Sequence, residues 1–137
     1  MSRILAIDYG RKRTGLAVTD ILQLIPGALA TVSSHELLNY LDEYFRKEPV
    51  ERVIVGLPKQ MNNQLSESMK YIEPFVRSFK KKWPEMPVEF YDERFTSVLA
   101  HQAMLEGGLK KKDRQNKALV DQISAVIILQ SYLESKR

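Results

Sequence analysis

The sequence contains no cysteine, which excludes disulfides and thiolate zinc sites. Only two histidines occur, His35 and His101. They stand alone, without a second ligand at metal-binding spacing, and each reads as a surface or cap residue. No apolar run approaches the ~20 residues that span a bilayer, so no membrane partner is expected. The opening Met1-Ser2-Arg3-Ile4-Leu5-Ala6-Ile7-Asp8 turns acidic too soon for a secretory leader. Together with the missing cysteine, this points to the cytoplasm. No linker, low-complexity tract or internal repeat interrupts the chain, so residues 1–137 are expected to form a single domain.

Hydrophobic residues make up 44% of the chain, enough for an ordinary core. The formal net charge of +4 favours a polyanionic partner only weakly, and the distribution of charge says more. Three basic clusters occur: Arg11-Lys12-Arg13, Lys80-Lys81-Lys82, and Lys110-Lys111-Lys112 with Arg114. Each alone reads as solvated surface; together they suit contact with phosphates.

Ile4 to Asp8 reads as a strand buried on both faces. Gly10 to Arg13 supplies a turn, and Thr14 to Thr19 a second strand that closes a hairpin. Ala28 to Val32 follows the breaker Pro26-Gly27 as a third strand. Ser33 and Glu36 have capping-box spacing, and Leu37, Leu38, Leu41, Tyr44 and Phe45 recur at helical period before Pro49. Val53 to Pro58 is a short buried strand. A polar loop, Lys59 to Gln64, leads to a helix from about Ser66 to Trp83. Val88 to Asp92 is a fifth strand. Thr96 or Ser97 caps a helix that stops at Gly107-Gly108, and a last helix runs from about Asn116 to Glu134. The order β-β-β-α-β-α-β-α-α is that of a ribonuclease H-like α/β domain. It implies a five-stranded mixed sheet, a three-strand antiparallel meander plus parallel strands, flanked by helices on both faces.

Carboxylates end two of these strands, Asp8 on the first and Asp92-Glu93 on the fifth. Ligands of open α/β sheets gather beyond the carboxyl ends of the strands. Packing does not explain an apolar strand that ends in an acid, because an unpaired buried charge is costly. Asp121 lies early in the last helix, with small residues, Ser124 and Ala125, at i+3 and i+4. That small face lets the helix approach the sheet and aim Asp121 at the other acids. Read alone, Asp121 is equally an acid favoured by a helix N-terminus. Hard oxygen ligands without cysteine or clustered histidine suit Mg²⁺ or Mn²⁺. Two such ions can clamp an in-line phosphoryl transfer, with Asp8 as the natural bridging acid.

Ile7-Asp8-Tyr9-Gly10-x-x-Arg13-Thr14-Gly15-Leu16-Ala17 resembles the opening motif of the YqgF (RuvX) family, the Holliday-junction-resolvase-like pre-16S rRNA nucleases. Val55-Gly56-Leu57-Pro58, Asp92-Glu93-Arg94-Phe95-Thr96-Ser97, and Lys117 with Asp121, Ser124-Ala125 and Ile127 to Leu133 resemble its later segments, in the same order. The loop after Pro58 departs from the family: it lacks the usual glycine or aspartate and carries Asn62-Asn63, which also tolerate left-handed backbone. The resemblance implies a ribonuclease H-like fold and a role in maturing the 5′ end of 16S rRNA. It places the catalytic and metal-holding acids at Asp8, Glu93 and Asp121. Strand alternation alone does not choose between Asp92 and Glu93; the resemblance chooses Glu93, with Asp92 supporting it.

Arg13, Arg94, Lys110, Lys111, Lys112, Arg114 and Lys117 are the candidates for nucleic-acid contact. Arg94 serves equally to offset Asp92 and Glu93. Gly10 and Gly15 read first as hairpin glycines and second as places where a phosphate or metal approaches the backbone. Thr96 reads as a cap, Trp83 as a core residue, and Tyr9 as either a core ring or a base-stacking one. The expected partner is structured RNA, met as a monomer or weak homodimer. The rivals are a resolvase of branched DNA, which would need a dimer for paired cuts, and a binding factor without catalysis. The Asp8-x-Gly10 opening also resembles the phosphate motif of actin-like ATPases, but those need two such domains and this chain has room for one.

Overall fold

The computed structural model describes residues 2–57, 69–92 and 117–136. Five strands, β1 (Arg3–Tyr9), β2 (Arg13–Thr19), β3 (Pro26–Ser33), β4 (Val50–Leu57) and β5 (Val88–Asp92), form one sheet in the order β3-β2-β1-β4-β5. β1–β2 and β2–β3 are antiparallel, whereas β1–β4 and β4–β5 are parallel. This is the expected meander joined to parallel strands. Helices α1 (Leu37–Lys47), α2 (Met69–Lys82) and α3 (Lys117–Ser135) cover it. The expected start of α2 near Ser66, the loop 59–64 and the helix between Thr96 and Gly107 lie outside the described residues.

β1 is central, and its alternation builds two cores. Leu5 and Ile7 point to α1 and α2, where they meet Leu16, Leu41, Val53, Val55, Ile72, Phe75 and Phe79. Ile4 and Ala6 point the other way, to Ala17, Ile54 and the α3 residues Ala125, Ile128, Leu129, Tyr132 and Leu133. Buried apolar side chains of this kind contribute about 1.5–3 kcal/mol each. The aromatic end of the first core is as expected for Trp83, which lies edge-on to Phe45 at 5.0 Å and beside Phe79 at 4.8 Å. Tyr9 resolves to its core reading: its ring stacks on Phe75 at 4.8 Å.

The capping box is a correction. Ser33 precedes a 3-10 turn, Ser34–Glu36, and its side chain makes no cap hydrogen bond. The neighbouring Ser34 hydroxyl is used instead: it donates to the Gly10 carbonyl at 2.5 Å and meets the buried Thr14 hydroxyl at 2.9 Å. That contact ties the β1–β2 turn to the start of the first helical segment. A side chain here serves a distant turn better than its own helix, because the tight 3-10 geometry differs from the α-helical one the box requires.

Candidate active site at the carboxyl edge of the sheet

Asp8 is the sixth of the seven residues of β1 and pairs with Gly15 of β2. It shares the parity of Ile4 and Ala6, so it belongs to the face that α3 covers. On α3, the stripe facing the sheet runs Tyr132, Ile128, Ala125. One further turn toward the N-terminus brings it to Asp121. The two acids therefore converge from a strand end and a helix turn.

Gly15 makes this possible. A Cβ on Gly15 would overlap the Asp121 backbone carbonyl and come within 3.0 Å of the Asp121 Cβ. Gly15 is neither a hairpin glycine nor a backbone exposed to ligand; it is an inner strand residue on which α3 rests. The hairpin reading holds for Gly10, where an added Cβ would overlap the Arg13 carbonyl across the turn. The other end of α3 is held by Arg52 of β4, whose Nη1 donates to the Tyr132 hydroxyl at 2.6 Å.

Burial pushes the Asp8 carboxyl up from 3.8 to about 7, and the nearby Asp121 charge adds to the rise. Among the described residues, no cation or hydrogen-bond donor answers Asp8. Asp20 shows the contrast. It lies at the opposite edge of the sheet, after β2, and its oxygens accept from the backbone N–H groups of Leu22, Leu24 and Ile25 at 3.2, 2.8 and 2.9 Å. Those hydrogen bonds hold its carboxyl below the usual range. Asp20 shapes a loop, whereas Asp8 is held in an unfavourable setting that no group among the described residues compensates.

Asp121 does have a partner. Arg13 opens β2 on the same face, and its Nε donates to Asp121 Oδ2 at 2.7 Å. This pair joins residues 108 apart in sequence, and sequence reading assigned Arg13 only to nucleic acid. The available signal was parity: Arg13 and Gly15 lie two residues apart on one strand, opposite the end of β1. Next to Arg13 in the turn, Arg11 lies over the Tyr71 ring at 5.4 Å.

The remaining predicted residues divide by position. Asp92 ends β5, two strands from β1 and parallel to it, so its backbone lies at the same carboxyl edge. Lys117 opens α3. Glu93, Arg94, Lys110, Lys111, Lys112 and Arg114 lie outside the described residues, as do Thr96, Ser97 and His101. His35 is on the surface, 3.8 Å from Glu36. Lys80, Lys81 and Lys82 require a correction. They form the last turn of α2, which runs back from the carboxyl edge of β4 to the start of β5, so they lie at the far edge from Asp8. Cations in a last helical turn answer the helix dipole, and this cluster does not share a surface with Arg11-Lys12-Arg13.

The RuvX family model, described as Holliday junction resolvase, matches residues 2–135. A protein of Bacteroides thetaiotaomicron named "Putative pre-16S rRNA nuclease" is 75% identical over 100% of this chain and 99% of its own length. A protein of the same name from Porphyromonas gingivalis is 58% identical over 98% of each chain. Among solved structures, Thermus thermophilus RuvC in complex with a Holliday junction substrate superimposes with a TM-score of 0.59, at 18% identity, over 99% of this chain and 97% of that one. A second Thermus thermophilus RuvC structure gives 0.56 at 19% identity. These likenesses match the ribonuclease H-like architecture of a five-stranded mixed sheet between helices. The chain belongs to the RuvX family.

Proposed function

We propose that this chain is a metal-dependent nuclease that hydrolyses phosphodiester bonds and matures the 5′ end of 16S rRNA in the cytoplasm. The observation that carries the reading is the convergence of Asp8 and Asp121, built by a glycine that admits the helix, with no counter-ion to Asp8 among the described residues. Two crowded hard-oxygen carboxylates, one of them raised to about 7, suit a divalent cation such as Mg²⁺ or Mn²⁺, which favours their ionised forms. Glu93 is the third acid in this reading. Its choice over Asp92 rests on the family resemblance of Asp92-Glu93-Arg94-Phe95-Thr96-Ser97. Among the described residues no group of three acids forms, so the metal set of Asp8, Glu93 and Asp121 belongs to the proposal.

When bound, such ions, as a pair, supply Lewis-acid activation of water and stabilise the leaving oxygen of an in-line displacement. Asp8, from the central strand, and Asp121, from the helix, would hold them, with Glu93 as the third acid. Arg13, Arg94, Lys110, Lys111, Lys112, Arg114 and Lys117 contact the phosphate backbone around it. The full-length relatives at 58% and 75% identity carry the RNA name. The RuvC structures, at 18% and 19% identity, speak to fold. This favours structured RNA over branched DNA, acted on by a monomer or weak homodimer.

The test offers the protein a 5′-extended 16S rRNA precursor and, separately, a four-way DNA junction, each with Mg²⁺, Mn²⁺ or chelator. Cation-dependent trimming of the RNA with the junction left whole is the expected result. Cutting of the junction alone overturns the RNA assignment. Binding of both without cutting of either overturns the nuclease reading.

A further inference from the structure

Arg13 places a cation directly on one of the two converging acids. Its single contact with Asp121 is through Nε, and among the described residues its guanidinium makes no other hydrogen bond or ion pair. The side chain is 41% exposed, so solvent reaches it. Arg11, two residues earlier, lies over an aromatic ring; among the described residues Arg13 has no such seat. Resting on the reading of Asp8 and Asp121 as metal-holding acids, we infer that Arg13 is an internal counter-ion of the site. It occupies Asp121 while no cation is bound, opposes cation binding through its own charge, and releases Asp121 as it turns to a phosphate of the incoming nucleic acid.

The physical case is one of charge and reach. Two carboxylates confined together repel, and the guanidinium, 2.7 Å from Asp121, offsets part of that repulsion there. The same positive charge weakens the pull on a dication; a unit charge a few ångströms away, across partly solvated protein, changes affinity by roughly tenfold. A guanidinium also has a second use that an ammonium lacks, since its planar fork pairs two phosphate oxygens at once. The result is an ordering device. Cations bind weakly to the free protein, and nucleic acid strengthens their binding by drawing Arg13 away from Asp121.

The experiment titrates Mn²⁺ into the free protein, without nucleic acid, and follows the unbound ion by electron paramagnetic resonance. Arg13→Gln, Arg13→Lys and Asp8→Asn are compared with the parent, and thermal melting checks that each is folded. Arg13→Gln is expected to bind Mn²⁺ roughly tenfold more tightly, while Arg13→Lys, which keeps the charge, stays within about twofold of the parent. Unchanged or weaker binding by Arg13→Gln overturns the inference and makes Arg13 a clamp for Asp121. Asp8→Asn separates the two layers. If it abolishes binding while Arg13→Gln gains nothing, only the Arg13 inference fails. If it binds Mn²⁺ as the parent does, the metal-site reading fails with it.

Discussion

Alanine at Gly15 would place a methyl group where the Asp121 carbonyl already stands. The obstacle is the backbone of α3, which cannot swing aside as a flexible side chain can. The first turns of the helix would have to withdraw by about 1 Å, and overpacking of this kind costs ~1–3 kcal/mol. For a chain of this size that lowers the melting temperature by roughly 3–10 °C. The consequence for function is larger than for stability. A displacement of ~1 Å in a catalytic group costs about 10²-fold in rate, and Asp121, an acid of the proposed centre, is the residue displaced. Gly27 is the control, because a Cβ there meets only the Val18 carbonyl at 3.9 Å, an ordinary contact. The assay is calorimetric melting of Gly15→Ala and Gly27→Ala, followed by single-turnover cleavage of precursor RNA. The expected pattern is a destabilised, slow Gly15→Ala beside a near-normal Gly27→Ala. A Gly15→Ala variant that melts and cleaves like the parent would refute the claim that α3 rests on this glycine.

Two further predictions concern protons and hydrogen bonds. In the native state Asp8 titrates near 7 rather than 3.8, so between these values the folded chain holds a proton that the unfolded chain has released. The stability from this group is fully present below about pH 4, is lost as pH rises toward 7, and is level above that; the whole shift corresponds to at most ~4 kcal/mol. Without divalent cation, Asp8→Asn should therefore melt above the parent at pH 8 and lose that advantage at pH 4, whereas an advantage independent of pH would contradict the argument. Ser34→Ala removes the hydroxyl shared by Gly10 and Thr14 and should cost ~1–2 kcal/mol in urea unfolding. Ser33→Ala, which loses no cap bond, should cost under about 0.5 kcal/mol; equal losses would restore the capping box.

All five strands were legible in the sequence because their apolar runs are bounded by turn residues, and β5 was delimited to the residue as Val88–Asp92. The last helix was likewise found within a residue at each end, Lys117–Ser135 against an expected Asn116–Glu134. Ser124 and Ala125 signalled that this helix approaches the sheet closely. What the periodicity does not carry is which residues meet across the layers. Gly15 looks like any glycine near a hairpin until α3 is placed on its face, and Arg13 looks like a surface cation until its strand parity is set against Asp121. Lys80 to Lys82 make the opposite case: a basic run counts as part of a site only after the direction of its helix is known, and α2 carries this one to the far edge. Asp8 was found because an acid ending an apolar central strand conflicts with packing.

Whether Asp8 and Asp121 act as one centre is decided by cleavage of the 5′-extended 16S precursor with Asp8→Asn, Asp121→Asn and the double variant, each verified as folded. Residues that work as a unit lose function together, so each single variant should fall by about 10³-fold or more and the double variant no further. Parental activity in either single variant, or losses that multiply in the double, would contradict the account.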